Sequence, residues 1–107
     1  MSNPRLDQLL VIASEYGASG FHLIAGVPPA YRVNGEIILA EEDVLTVEGV
    51  MEMAYSLLNA QQREKFESEW ELCISLLHTS VGRVRATIYR RNGGPELSLR
   101  FCGTQIL

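Results

Sequence analysis

The stretch that decides the fold runs from Ala18 to Gly35 and reads ASGFHLIAGVPPAYRVNG. It opens with a short apolar run that is typical of a strand, and it bends where Pro28 and Pro29 fix two φ angles and remove two backbone donors. A second, alternating segment follows the prolines. Asn34 and Gly35 fold that segment back, because a type I′ turn needs positive φ at both central residues. The stretch therefore predicts one strand followed by a hairpin over residues 30–40.

Helices are predicted on both sides of this stretch. The first begins at Asn3, which can cap it, and ends near Gly17; its apolar residues recur at helical spacing (Leu6, Leu9, Leu10 and Ala13). Thr46 caps a second helix with an apolar stripe of Val47, Val50, Met51, Ala54, Leu57 and Leu58. A third begins at Asn59, with Gln62 at the capping-box position and Phe66 and Trp70 as its large apolar anchors.

After Trp70 the apolar period changes to two, which indicates strands. Residues 72–76 alternate, residues 83–91 alternate again, and residues 96–101 return after a turn at Asn92-Gly93-Gly94. The predicted order is α-β-β-β-α-α-β-β-β. Strands grouped into hairpins, with helices gathered between them, favour an α+β domain whose antiparallel sheet is covered on one face.

Length and composition are those of one soluble domain over residues 1–107. The chain is 47% hydrophobic and 21% charged, which is enough to build a core. A net charge of −4 argues against general affinity for nucleic acid. The apolar run at residues 9–13 is too short to span a membrane, so a cytosolic protein is expected.

The sequence contains no motif for metal binding or for catalysis by the chain itself. Cys73 and Cys102 form no metal-ligand spacing, and both lie in strand-like runs where a free cysteine is expected to be a small buried hydrophobe. His22 and His78 are isolated, and a hydrogen-bonded structural role is favoured for His22. The phosphate-binding pattern G-x-x-x-x-G-K-[ST] does not occur, and the only lysine is Lys65. The chain alone is therefore not expected to hydrolyse ATP.

A stripe of arginines is the one pattern that points to binding chemistry. Arg83, Arg85 and Arg91 fall on the outward face of one predicted strand, and Arg100 falls on the outward face of the strand expected to pair with it. Guanidinium groups so placed suit bidentate contact with phosphate. The competing interpretation is an ordinary polar sheet face with Glu96 as partner, and the residues alone leave both open.

Several motifs together resemble the N-terminal domain of pilus-retraction and type II/IV secretion ATPases. The opening stretch is similar to the family pattern Ala-Ser-Asp-apolar-His-apolar, then Gly-apolar-Pro-Pro, then Arg-apolar-Asp/Asn-Gly. Residues 59–66 resemble its Asn-x-x-Gln-Arg-x-x-Phe segment, residues 82–85 its Gly-Arg-apolar-Arg strand, and Arg100 an arginine of its last strand. The resemblance covers essentially the whole chain and implies a PAS-like sheet.

The resemblance also implies a role. The domain would precede a RecA-like ATPase domain, present in cis or in trans, that binds ATP and Mg. It would contact neighbouring subunits of a homo-hexamer on a cytoplasmic, inner-membrane pilus or secretion platform, in twitching motility or type II secretion. Arg83, Arg85 and Arg100 would contact nucleotide phosphates or the motor domain, and Arg91, His22 and Arg32 would add to the interface. No cofactor, metal or nucleic acid is expected on this chain.

Departures from the family pattern leave alternatives open. Gly20 stands where the family has Asp, Cys73 where it has an acidic residue, and Thr87 and Arg91 where Asn and Gln are expected. A divergent paralogue would fit these changes. So would a stand-alone PAS-like module that senses a small ligand or binds a protein, or a structural adaptor without any link to nucleotide.

Overall fold

One antiparallel sheet of six strands organises the part of the chain that the computed structural model describes, residues 3–91 and 94–102. The sequence-predicted order of elements is confirmed. The helices are α1 (Pro4–Glu15), α2 (Val47–Tyr55) and α3 (Ala60–Glu69). The strands are β1 (Gly20–Ile24), β2 (Ala30–Val33), β3 (Glu36–Leu39), β4 (Glu71–His78), β5 (Gly82–Arg91) and β6 (Gly94–Phe101).

The strands lie side by side in the order β3-β2-β1-β6-β5-β4. The first and last strands of the chain are thus neighbours at the centre, where Phe21 pairs with Leu99 and His22 with Ser98. Both outer pairs are hairpin partners, β2 with β3 and β4 with β5. The central β1–β6 pairing therefore joins the two halves of the sequence into one sheet.

All three helices cover the same face of this sheet, as predicted. The alternating residues of the strands that point to this face, among them Phe21, Leu23, Val84, Ile88 and Leu97, are fully buried. They belong to one cluster with the buried faces of the helices, which contribute Leu6, Leu9, Leu10, Ala13, Val50, Met53, Ala54 and Phe66. The opposite side of the sheet, called the outer face below, carries the intervening polar residues.

The helix starts follow the predicted caps. The side chains of Asn3 and Thr46 accept hydrogen bonds from the backbone N–H groups of Leu6 (3.0 Å) and Gly49 (2.9 Å). Asn59 and Gln62 form the full capping box, with bonds of 2.8 and 2.9 Å. These side chains satisfy donors that the first helical turn leaves free.

Two predictions about helix packing are wrong in detail. The helical spacing predicts Val47 in the buried stripe of α2, but Val47 is 45% exposed and Met53 is buried instead. Val47 is the first residue of the helix, three positions before the fully buried Val50. Trp70 is not a helical anchor: it ends α3 in the left-handed conformation (φ 58°), is 41% exposed, and packs its ring edge-on against Phe66 at 5.6 Å.

The expectation for the cysteines is also wrong. Cys73 is exposed, because it lies on the outer face of β4 between Leu72 and Ile74, whose side chains turn towards the helices. Cys102 follows β6 and is half-buried. Both are free thiols. Of the predicted turn at Asn92-Gly93-Gly94, the first two residues lie outside the described residues; Gly94 begins β6 with φ 117°.

The hairpin between β2 and β3 turns at Asn34 (φ 53°) and Gly35 (φ 81°), as the Asn-Gly pair predicts. A Cβ at Gly35 would meet nothing within 4 Å, so only the backbone conformation restricts this position.

Replacing Gly35 by valine is expected to lower the free energy of unfolding by about 1–3 kcal/mol, since a β-branched residue is strained at positive φ. Thermal unfolding followed by circular dichroism measures the change. Gly35→Asn is the matched control and should cost less, because asparagine tolerates this conformation. Equal melting temperatures for Gly35→Val and the unchanged protein would show that the turn does not depend on positive φ.

Candidate functional site

The outer face of β5 carries a series of exposed arginines. Val84, Ala86 and Ile88 point into the core with no exposed surface, so the residues between them must point the other way. Arg83, Arg85 and Arg91 are accordingly exposed on the outer face. They occupy the same side of one strand, about 6.8 Å apart for each two residues.

Pairing of the strands places two more arginines in line with Arg85. Arg85 is opposite Arg100 on β6, Arg100 is opposite Gly20 on β1, and Gly20 is opposite Arg32 on β2. Neighbouring strands lie about 4.8 Å apart, so three guanidinium groups start from a single line across four strands. We call Arg32, Arg85 and Arg100 the arginine row. Arg83 lies on β5 two residues before Arg85, on the same outer face.

Gly20 leaves a gap in the row. A Cβ at this position would lie 3.1 Å from the Cα of Arg100 and closer still to the Leu99 carbonyl oxygen, so a larger residue would push the β1 and β6 backbones apart. The missing side chain contributes to a depression of about 370 Å³ on the outer face. Its polar lining comes from Ser19, His22, Arg32, Ser98 and Arg100.

The arginine row lacks carboxylate partners among residues 3–91 and 94–102. None of Arg32, Arg83, Arg85 and Arg100 forms an ion pair there. The ion pairs found are Arg5–Glu42 and Arg63–Glu67, and two histidine–carboxylate contacts, His22–Glu96 and His78–Asp7, are ionic only when the ring is protonated. Unpaired like charges on adjacent strands repel one another, and an anion with several oxygens relieves that repulsion. The row is therefore a surface suited to a phosphate or a carboxylate group.

Glu96 does not serve as the partner that the competing interpretation needs. Its carboxylate accepts a hydrogen bond of 3.0 Å from the Tyr89 hydroxyl and lies 4.0 Å from His22 Nδ1. Burial raises the pKa of the Tyr89 phenol, and the hydrogen bond to Glu96 raises it further. Glu96 is thus held away from the arginine row by its own neighbours.

His22 is half-buried, and its Nδ1 lies 3.2 Å from Ser98 Oγ on the neighbouring strand. This is the hydrogen-bonded setting that the sequence favoured. A serine, a histidine and a carboxylate do meet here, but Ser98 and Glu96 both approach the same ring nitrogen. Nucleophilic catalysis by such a group uses the two nitrogens separately, so this arrangement is not a catalytic triad.

Arg91 stands apart from the arginine row, three positions beyond Ile88 at the end of β5. Its guanidinium lies over the Tyr89 ring, 4.7 Å from the centroid, and it pairs with Gly94 on β6. The structure therefore brings Arg83, Arg85, Arg100, Arg32 and His22 into one region and leaves Arg91 at its margin. The sequence singles out Gly20 only as a departure from the family pattern and does not single out Ser98; the register of β1 against its neighbours places both beside the arginine row.

The described residues give no support for a metal site or for a helix that crosses a membrane. No group of three or more His, Cys, Asp or Glu side chains within residues 3–91 and 94–102 is arranged to hold a metal ion. Over the same residues, every helix is too short or too polar to cross a bilayer.

Comparison with known proteins gives close relatives but no match to a family model. The type IV pilus retraction ATPase PilT of Pseudomonas aeruginosa is 30% identical over 102 residues, which is 95% of this chain. The type IV pilus ATPase PilU of the same organism is 32% identical over 87 residues, or 80% of this chain. The crystal structure of the pilus retraction motor PilT with bound ADP superimposes on 94% of this chain with a TM-score of 0.86 and 30% identity.

The chain is a PilT-like domain, similar over most of its length to part of the pilus ATPases PilT and PilU. Its strand order and fold match those of the PilT N-terminal domain, which confirms the predicted fold class. The PilT-like domain spans only 30% of the length of PilT and 23% of that of PilU. The relatives are ATPases, and the region that matches this chain is a small part of each.

Proposed function

We propose that this PilT-like domain works as the non-catalytic N-terminal domain of a type IV pilus retraction or type II secretion ATPase. A RecA-like domain, in cis or in trans, supplies the ATP and Mg site, and six copies assemble at the cytoplasmic side of an inner-membrane platform. The PilT-like domain mediates contacts between domains and between subunits. Its arginines meet the nucleotide phosphates or the acidic groups of the facing domain.

The observation that carries the proposal is the arginine row. Arg32, Arg85 and Arg100 start from one line on an exposed face, with Arg83 beside them and no ion-pair partner within the described residues. Guanidinium groups bind phosphate oxygens two at a time, and they retain their charge at any physiological pH. They can therefore respond to whether a phosphate is present, and in this way the domain links nucleotide state to the movement of the ring.

The stand-alone ligand sensor requires an enclosed cavity between the sheet and the helices. Over residues 3–91 and 94–102 that space is filled by fully buried side chains, including Phe21, Phe66, Ile88 and Leu97. A recess of about 590 Å³ does exist, but it lies at the edge of the sheet between α1 and β3 and is open to solvent. This recess suits a protein partner better than an enclosed small molecule.

Two measurements test the proposal. The purified chain should show no measurable ATP hydrolysis, and appreciable turnover would contradict the non-catalytic role. In a structure of the full-length protein with a bound nucleotide, the guanidinium nitrogens of Arg85 or Arg100 should lie about 2.7–2.9 Å from phosphate or carboxylate oxygens of the ATPase domain. An outer face turned to solvent in that structure would rule out the proposed contact, and with it the nucleotide link.

A further inference from the structure

An open groove lies on the helix side of the sheet, away from the arginine row. Ile12 and Tyr16 of α1 form one wall, and Tyr31, Val33 and Ile38 of β2 and β3 form the floor. Its volume is about 590 Å³. The groove exists because β3 extends beyond the helix layer, so that all four residues of this strand are exposed. Within the described part of the chain, this apolar surface stays exposed to solvent.

The same strand has a free backbone edge. Within residues 3–91 and 94–102, β3 is the outermost strand on its side of the sheet and pairs only with β2. Ala40 N–H donates to the Pro29 carbonyl at 2.8 Å, and in an antiparallel pair alternate residues point their backbone groups towards the partner. The N–H and C=O groups of Ile37 and Leu39 therefore point away from β2. They are available to another strand.

The side chains along this edge are apolar where edge strands usually carry charge. Ile37, Ile38 and Leu39 are 48%, 48% and 55% exposed. Natural sheets protect their edges with charged side chains, proline or bulges, and β3 has none of these from Ile37 to Leu39. An unprotected apolar edge of this kind marks an interaction site.

A buried hydroxyl in the floor of the groove also lacks a partner. Tyr31 is 3% exposed, and its hydroxyl oxygen makes no hydrogen bond with any described residue. Nearly all buried side-chain polar atoms of native proteins have a partner. Among the described residues it is the one buried side-chain polar atom without a hydrogen bond, and it lies beneath the surface that an occupant of the groove would touch.

Charge around the groove identifies the chemistry of its occupant. Glu41 and Glu42 line one end, Asp43 follows them, and Glu36 stands at the start of β3. Among the residues that the structure describes, Arg5 is the one cation bound to this group, through a 3.0 Å contact with Glu42. A second copy of the chain would bring the same acids to the edge, and like charges disfavour that pairing. A basic segment is complementary to the edge.

We propose that β3 and the adjoining groove form a docking site for an extended segment of another protein, with an apolar centre flanked by lysine or arginine. The segment adds to the sheet as a seventh strand, bonded to the free backbone groups of Ile37 and Leu39. One of its apolar side chains fills the groove over Tyr31, and its basic flanks lie beside Glu36 and Glu41. The site does not depend on the arginine row or on nucleotide.

Three synthetic peptides test the site on the unchanged chain by fluorescence anisotropy. The first has the core Val-Ile-Val with two basic residues on each side, the second has glutamates in place of the bases, and the third keeps the basic flanks around a glycine core. The first should bind at least about tenfold more tightly than either of the others, and added salt should weaken it. Equal affinities for the first and second peptides would overturn the proposal.

Variants then locate the bound peptide. Leu39→Pro removes a donor that points away from β2, and Ile38→Lys places a cation in the groove; each should weaken binding of the basic peptide about tenfold or more. Val44→Lys is the matched control, since Val44 is 57% exposed but outside the groove, and it should bind nearly as the unchanged chain does. Full binding by both edge variants, with their melting temperatures unchanged, would overturn the proposal.

Analytical ultracentrifugation of the peptide-free chain tests the remaining candidate occupant, a second copy of the chain. The unchanged chain should stay monomeric. Dimers that Leu39→Pro abolishes would show that a second copy fills the edge, and they would overturn the assignment of a basic partner while leaving the arginine row untouched.

Discussion

Replacing Arg83, Arg85 and Arg100 together by alanine is expected to lower ATP turnover of the full-length protein by about 10²–10³-fold, the loss typical when groups that stabilise transition-state charge are removed. The three side chains are exposed on the outer face, and Arg85 and Arg100 are directly opposite each other on paired strands. Their removal leaves the buried face unchanged. The loss should therefore occur with little change in the melting temperature.

Arg90→Ala is the matched control for this triple variant. Arg90 lies on the same strand, but its guanidinium is over the Trp70 ring, 5.0 Å from the centroid, at the end of the sheet and outside the arginine row. Turnover should be nearly unchanged in this variant. Arg85→Lys adds a second comparison, since lysine keeps the charge but loses the bidentate geometry, and an intermediate activity is expected. Full activity in the triple variant would show that the domain is a structural adaptor without a link to nucleotide.

Replacing Phe21 by alanine is expected to lower the free energy of unfolding by about 3–5 kcal/mol, a large part of the stability of a small domain. Phe21 has no exposed surface, and its ring lies 5.8 Å from that of Tyr31 and 6.3 Å from that of Phe101. It lies on β1 opposite Leu99, within the central β1–β6 pairing that joins the two halves of the sheet. Chemical denaturation followed by circular dichroism measures the change.

Arg32→Ala serves as the control for Phe21→Ala. Arg32 is exposed on the adjacent strand and points to the opposite side of the sheet, so its removal should change the free energy of unfolding by only about 0.5 kcal/mol or less. A small effect of Phe21→Ala, comparable to that of Arg32→Ala, would contradict the position of β1 in the core.

Local patterns predicted the elements because their causes are local. Asn3, Thr46 and Asn59 cap their helices through bonds to residues three positions away, and Asn34 and Gly35 form the turn by their own backbone preferences. Alternation likewise predicted which face of β5 bears arginines. The helix errors occurred at element ends, since at Val47 and Trp70 tertiary packing, and not helical period, decides exposure. The error at Cys73 has another cause, because this residue lies within β4 on the outer face.

The candidate site was predictable only in part, because it depends on contacts between distant residues. The sequence indicated Arg83, Arg85, Arg91 and Arg100 through spacing on two strands of one hairpin. The line from Arg100 across Gly20 to Arg32 depends on the pairing of β1 with β6, whose residues are some 80 positions apart in the chain. No local signal reports that register. The same is true of the groove beside β3, which exists because α1 stops short of the sheet edge.

The distribution of charge across the sheet has a consequence for how the domain approaches a partner. Residues 41–71, which include α2 and α3, carry nine acidic residues against two basic ones, whereas residues 83–100 carry five arginines against one glutamate. The domain is therefore an electric dipole despite its modest net charge of −4. A dipole turns in the field of a charged surface before contact is made. Encounter with an anionic surface should thus be oriented from the start, and its rate should fall steeply as ionic strength rises.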